Sequence, residues 1–346
     1  MPGKTKRIGI LTAGGDCPGL NAAIRGVGKT AIVDYGMEVI GFRSGYTGLL
    51  QNDYLELKEA QLSGILTLGG TILGTSREKP YKLVSDNGEP NAKPEIIIRN
   101  YDDLGLDALV CIGGNGTMKT ANMLSREGLN IIGIPKTIDN DVWGTETTFG
   151  FDSAVYIATE AMDRLHTTAN SHQRVMIIEV MGHNAGWLAL YAGIAGGGDI
   201  ILLPELPYNL RSVCKKIESR YADNKPYSIV VVAEGIEHPK GRSAASYIAD
   251  SITTYTGYET RETVLGYIQR GGSPSPADRI LATRYGAFAA RCIAEACFGT
   301  MVALRNNELA AVPLSEVGGK TRLVDPHNPM INIARKMGVS FGDEFI

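Results

Sequence analysis

Short apolar runs recur along the chain, and each gives way to glycine or to a polar cluster. IGILT precedes AGGDCPG, ALVCI precedes GGNGT, IIGI precedes PKTIDND and VMIIEV precedes MGHNAG; DIILLP and SIVVVA, the latter followed by EG, complete the set. Apolar runs this short, bounded by turn-forming residues, read as strands buried on both faces. Between them NAAIRGVGKTAIVDYG and SAVYIATEAMDRLHTTA carry apolar positions at helical spacing. Apolar strands alternating with helices predict an α/β fold with mostly parallel sheets covered on both faces. In such folds ligands collect beyond the carboxyl ends of the strands, where each polar cluster above is expected. No fixed repeat, low-complexity segment or linker marks a domain boundary. WGTETTFGF follows one set of strands and precedes a long helical stretch, which puts the best candidate near residue 150.

The cluster after IIGI is the densest. Lys136, Thr137, Asp139 and Asp141 leave the end of a buried strand together. One aspartate there is an ordinary turn former. Two close carboxylates repel unless a cation, a proton transfer or strong hydrogen bonds compensate. TAGGDCPGLNAA and IGGNGTMKTA each follow a strand and lead into a helix; neither carries the GK[ST] of a Walker A loop or the GxGxxG fingerprint. Glycine lets backbone approach a ligand, and helix N-terminal amides hold phosphate oxygens. It also simply tightens strand-to-helix turns, so either loop alone is ambiguous, while both together with the aspartates favour a phosphate site. Arg77 in GTSREK, Arg174 in SHQRV, and Arg261 and Arg270 in YETRETVLGYIQRGGSP are natural phosphate anchors. These parts suit phosphoryl transfer to a hydroxyl, with Asp139 as base, Asp141 supporting it or reaching a metal ion, and cations spreading the charge.

Composition removes competing classes. A chain of 346 residues has room for two domains. A net charge of -3 gives no electrostatic reason to expect nucleic acid or an acidic membrane surface as partner, and no apolar stretch reaches membrane-spanning length. Five scattered cysteines without a CxxC pair argue for reduced thiols. MPGKTKR is basic, but IGILTAGGD breaks off too soon for a secretory leader, so a cytoplasmic location is expected.

GILTAGGDCPGLNAAIRG, GGTILGTSR, CIGGNGT, PKTIDND, SHQR, VMG, AEG and ETRETVLGYIQRGGSP, in this order over nearly the whole chain, resemble the phosphofructokinase family. TIDND and IQRGGSP are the specific elements, since general nucleotide-binding folds do not share them. The resemblance implies two similar Rossmann-like three-layer domains with the active site in the cleft between them. Residues 1–150 plus about 268–318 would bind the phosphoryl donor, and 151–267 plus about 319–346 the sugar. It further implies phosphorylation of fructose 6-phosphate at its 1-hydroxyl with Mg2+, in glycolysis, by a homotetramer or homodimer. By position, Asp139 resembles the proton acceptor, Thr137 a sugar-phosphate contact, and Asp141 the acidic neighbour that assists the metal. Gly15, Arg77, Asn115, Gly116 and Thr117 fall on the donor side. Met181, Gly182, Glu234 and Arg270 fall on the fructose 6-phosphate side. Arg174 and Arg261 match residues that reach the sugar phosphate across a subunit interface.

Several positions depart from the family pattern. GGDG of ATP-dependent members is GGNG here, so a magnesium ligand becomes the neutral Asn115, a weaker donor to a hard cation. VMGR is VMGH, giving His183, and the histidine of GHIQRGG is Tyr267. Asp53 occupies the place of an arginine of the bacterial effector site, although Arg25 and Lys29 keep its positive charge. A carboxylate in an anion pocket argues against activation by ADP.

Two positions bear on ATP against pyrophosphate, and they disagree. Pyrophosphate-using members carry Asp in place of Gly116 and Lys where Lys136 stands. Gly116 leaves room for ATP, whereas Lys136 adds a cation beside the transferred phosphate. Obstruction outweighs an added charge because a lysine can swing aside, so ATP is the expected donor and pyrophosphate the alternative. A lipid or NAD kinase would not account for PKTIDND or IQRGGSP. A non-catalytic sugar-phosphate-binding regulatory subunit would gain nothing from keeping Asp139 and Asp141 beside phosphate.

Overall fold

The computed structural model describes residues 6–82 and 93–344; most of the basic start MPGKTKR lies outside them. In chain order the elements are β1 (Arg7–Thr12), α1 (Leu20–Val33), β2 (Glu38–Phe42), α2 (Tyr46–Gln51), β3 (Tyr54–Glu56), α3 (Glu59–Leu62), α4 (Lys93–Asp103), β4 (Ala108–Gly113), α5 (Asn115–Arg126) and β5 (Ile131–Pro135). Then follow α6 (Phe151–His172), β6 (Val175–Val180), α7 (Trp187–Ala195), β7 (Ile200–Leu202), α8 (Leu210–Ala222), β8 (Ser228–Ala233), α9 (Ala244–Thr256) and β9 (Thr260–Val264). The chain ends with α10 (Pro276–Ala294), β10 (Thr300–Arg305), β11 (Glu308–Pro313), α11 (Leu314–Val317) and α12 (Pro329–Lys336). By their contacts the residues form two compact units. The first draws on Met1–Thr137, Asp141–Asp152 and Arg270–Thr321; the second on Ile138–Asn140, Ser153–Gln269 and Arg322–Ile346.

The first unit is built on a sheet of order β11-β10-β5-β4-β1-β2-β3. Its centre is parallel, and antiparallel β3 and β11 close the two edges. All of β4 and β5 is buried. Alternate residues point to opposite faces. Leu11, Leu109, Cys111 and Ile131 pack with Tyr46 and Leu49 of α2, Ile97 and Tyr101 of α4, and Met118, Ala121 and Leu124 of α5. Ile8, Ile10, Val110 and Ile112, also buried, face the other way, where α1 and α10 contact the sheet and each other. With both faces covered, polar alternation has nothing to report, which explains the continuous apolar runs.

The contact of α1 with α10 is close because it is made by glycine. A Cβ on Gly286 would sit 2.5 Å from the Ala23 carbonyl oxygen and 2.6 Å from the Val27 nitrogen. In an open helix Gly→Ala gains up to about 1 kcal/mol. Here Gly286→Ala should instead cost about 1–3 kcal/mol, as overpacking does. A lowered denaturant midpoint at unchanged slope would bear this out; a raised midpoint would contradict it.

The second unit carries an all-parallel sheet of order β7-β8-β6-β9, with β6 and β8 buried throughout. Glu179, near the carboxyl end of β6, accepts a hydrogen bond from Ala245 N in the first turn of α9 at 2.8 Å. Burial pushes its carboxyl up, with Glu234 adding repulsion. No helix among the described residues is long and apolar enough to cross a membrane.

Candidate active site

In the first unit β5, β4 and β1 are consecutive in the sheet and parallel, so the segments leaving their carboxyl ends emerge side by side. These are Lys136 and Thr137 after β5, the first turn of α5 with Asp141 beside it, and the glycine loop after β1. Lys136 N donates to the Gly113 carbonyl at 2.9 Å, and Ala13 N to that of Ile112 at 2.9 Å, extending the ladder into the loops. Gly114 caps α5, so Asn115, Gly116 and Thr117 form its first turn, where amides and helix dipole favour an anion. A Cβ built on Gly116 meets nothing within 4 Å. The glycine is not demanded by packing; it leaves the helix start open. Gly14, at a φ of +85° that side chains rarely adopt, turns the first loop back so that its nitrogen donates to Ser76 O at 2.9 Å. Arg77, exposed, follows directly.

Lys136 does not behave as the sequence leads one to expect. Its side chain, in a residue only 3 % exposed, donates from Nζ to the carbonyl of Gly15. A buried, bonded ammonium does not swing aside; it braces the glycine loop. Gly15 is held from the other flank by Arg270, whose Nη1 would lie 2.9 Å from a Cβ there and donates to Asp16 O at 3.2 Å. Arg270, grouped with the sugar side by resemblance, thus lies in the first unit against the glycine loop. Cys17 in that loop is fully buried, and burial pushes its thiol up to about 12.

Asn115 Nδ2 donates to the Asp141 carboxylate at 2.8 Å and to its carbonyl at 3.2 Å, while Asn115 Oδ1 is buried without a hydrogen-bond partner. A buried carbonyl oxygen beside a carboxylate suits a hard cation. Among the described residues no group of three or more His, Cys, Asp or Glu side chains could hold a metal by itself. The donor set therefore fits magnesium only if ligand oxygens complete its shell, as is usual when phosphates accompany it. Thr137 and Asn140 are buried, and the Thr137 carbonyl accepts from Thr148 Oγ1 at 2.7 Å. Asn140 has a φ of +52°, a left-handed turn that asparagine tolerates better than most residues.

In the second unit the loop after β6 presents Met181, Gly182 and His183. Met181 N donates to Gln269 Oε1 at 2.9 Å, and His183 N to Glu234 Oε1 at 2.8 Å. Glu234 directly follows β8, the neighbour of β6, which brings it to the same sheet end. Gln269 escaped the sequence reading. It is fully buried with Nε2 lacking a partner, and the only sequence signal was its place inside IQRGG. Tyr267 is 74 % exposed in a short 3-10 turn, Gly266–Arg270.

Arg174 and Arg261 lie elsewhere. They sit at the start of β6 and of β9, whose neighbours Val175 and Thr260 are in register. Both pair with Glu259, Arg174 Nε at 2.8 Å and Arg261 Nη2 at 2.5 Å. The Arg174 guanidinium beside it is the main reason the Glu259 carboxyl is held below its usual range. A six-residue strand is about 20 Å long, so within one chain this pair stands a strand's length from Met181–His183. Asp53, in turn, is taken up by Arg43 at 2.9 Å.

A family model described as Phosphofructokinase matches residues 7–293. The chain belongs to the phosphofructokinase family. ATP-dependent 6-phosphofructokinase 3 of Bacteroides thetaiotaomicron is 58% identical over 339 residues, 97% of this chain and 100% of that one. ATP-dependent 6-phosphofructokinase of Spirochaeta thermophila is 56% identical over 361 residues, 98% of each chain. Among solved structures, phosphofructokinase from Saccharomyces cerevisiae superposes with a TM-score of 0.81 at 32% identity, over 90% of this chain and 45% of that one. The pyrophosphate-dependent phosphofructokinase of Marinobacter aquaeolei reaches a TM-score of 0.84 over 97% of this chain and 92% of that one, but at 22% identity it shares the fold alone.

Proposed function

We propose that this chain is an ATP-dependent 6-phosphofructokinase, transferring the γ-phosphoryl of ATP to the 1-hydroxyl of D-fructose 6-phosphate and yielding fructose 1,6-bisphosphate in glycolysis. The observation that carries the reading is the convergence of glycine loop, open α5 start, and Lys136, Thr137 and Asp141 at three adjacent strand ends, in a chain 58% identical to a relative bearing that name. The first unit takes the donor: α5 amides and the glycine loop hold phosphate oxygens, Lys136 and Arg270 brace that loop, and Arg77 lies along it. The second unit takes the sugar through Met181–His183, Glu234 and Tyr267. Asp139 accepts the 1-hydroxyl proton as the oxygen attacks phosphorus, and Thr137 orients the acceptor. Magnesium, when bound, offsets phosphate charge; Asn115 Oδ1 and Asp141 would hold it together with nucleotide oxygens. Unpaired cysteines, four of five buried, suit a reducing compartment such as the cytoplasm. Phosphorus NMR of the products tests the reaction: ADP with a new C1 phosphate ester supports it, and phosphate released to water contradicts it.

Arg174 and Arg261 extend the proposal to an oligomer. Standing a strand's length from the other sugar-side groups, they can serve a sugar phosphate only in a neighbouring subunit's site, in a homodimer or homotetramer. Arg174→Ala and Arg261→Ala should each raise the KM for fructose 6-phosphate at least tenfold, on the order of one charge-assisted contact. Subunit exchange between either variant and Asp139→Ala protein should restore normal-affinity sites. Verified hybrids without them would contradict the shared site.

A further inference from the structure

Arg322 lies beyond the region the family model matches, in the segment that returns to the second unit. Its Nη1 donates to the Asn140 carbonyl at 3.0 Å. Its guanidinium lies over the Trp187 ring, with Cζ 4.0 Å from the centroid, and its own carbonyl accepts from Trp187 Nε1 at 3.0 Å. Trp187 opens α7, immediately after the loop bearing Met181–His183. Two residues on, Val324 N donates to Glu205 at 2.9 Å, and the same carboxylate accepts from Gly186 N at 2.9 and 3.1 Å. Residues 322–324 are thus fastened to the start of α7 at three points, and one side chain from this brace reaches the residue after Asp139.

We infer that Arg322 is a positioning residue for Asp139, holding the left-handed Asn140 turn in register with the sugar-side loop. Asn140 pays for its φ of +52° only while its surroundings over-determine it. A planar guanidinium can stack on an indole and donate in its own plane at once; an ammonium cannot do both. The chemistry needs such a strut, because a base displaced by about 1 Å forfeits on the order of a hundredfold in rate.

The inference rests on the phosphofructokinase reading. The test compares wild type, Arg322→Ala and Arg322→Lys with fructose 6-phosphate, ATP and magnesium. Arg322→Ala should lower kcat about a hundredfold with the KM for ATP within about twofold, and millimolar guanidinium should restore part of kcat. Arg322→Lys, which keeps charge and stem should the alanine variant not fold, should lose less and gain nothing from guanidinium. Active wild type with undiminished kcat in both variants would overturn the inference alone. So would an alanine variant whose loss falls wholly on KM and is not rescued. Wild type inert toward fructose 6-phosphate with either donor would overturn the underlying reading, and this inference with it.

Discussion

Replacing Asp139 by alanine should cut turnover by about a hundredfold to ten-thousandfold, the range for loss of a general base, and leave fructose 6-phosphate binding nearly intact. The sugar anchors proposed in the second unit, Met181–His183 and Glu234, would remain, their backbone and carboxylate fixed by Gln269 and by each other. Asp139→Asn preserves shape and hydrogen bonding but cannot accept the proton, so it should lose a similar factor. Equilibrium binding of the sugar phosphate beside steady-state kcat separates the effects. An alanine variant retaining more than about a tenth of wild-type turnover would remove Asp139 from the role of base.

Gly116→Asp should abolish ATP-dependent turnover without harming the fold. The position lies in the first turn of α5 with open space where a side chain would go, and an aspartate there favours the helix dipole. Its carboxylate would, however, enter the open space at the start of α5, where we place the α-phosphate of the nucleotide. Two like unit charges about 4 Å apart cost about 4 kcal/mol at an effective dielectric of about 20, close to a thousandfold before any steric conflict. Pyrophosphate has no α-phosphate or adenosine and should escape this penalty. Unchanged ATP turnover in Gly116→Asp protein, with normal melting, would show that the donor does not lie over the start of α5.

The sequence made the inner strands legible because their burial on both faces leaves uninterrupted apolar runs; β1, β4, β5, β6, β7 and β8 all carry them. β9 was invisible in those terms: TRETV is polar and partly exposed, and only its pairing with β6 makes it a strand. Glycine loops and aspartates are readable as a candidate site because strand ends gather ligands whatever the detailed packing. The braces were not. Lys136 reaches Gly15 across 121 residues and Arg322 reaches Asn140 across 182, and no local pattern encodes such a contact. A lysine betrays its burial only through the residues around it, so the sequence presents Lys136 as mobile while the fold buries it. The pairing of Asp53 with Arg43 shows the converse: the lost effector-site arginine could be noticed in sequence, but not the partner its replacement would find.

Donor-resolved steady-state kinetics of the wild-type protein test the central claim most directly. With saturating fructose 6-phosphate and magnesium, turnover is predicted with ATP, forming ADP and fructose 1,6-bisphosphate, and little or none with pyrophosphate. Protein active with pyrophosphate and inert with ATP would contradict the account, and would mean that the buried Lys136, rather than the open Gly116, governs the donor.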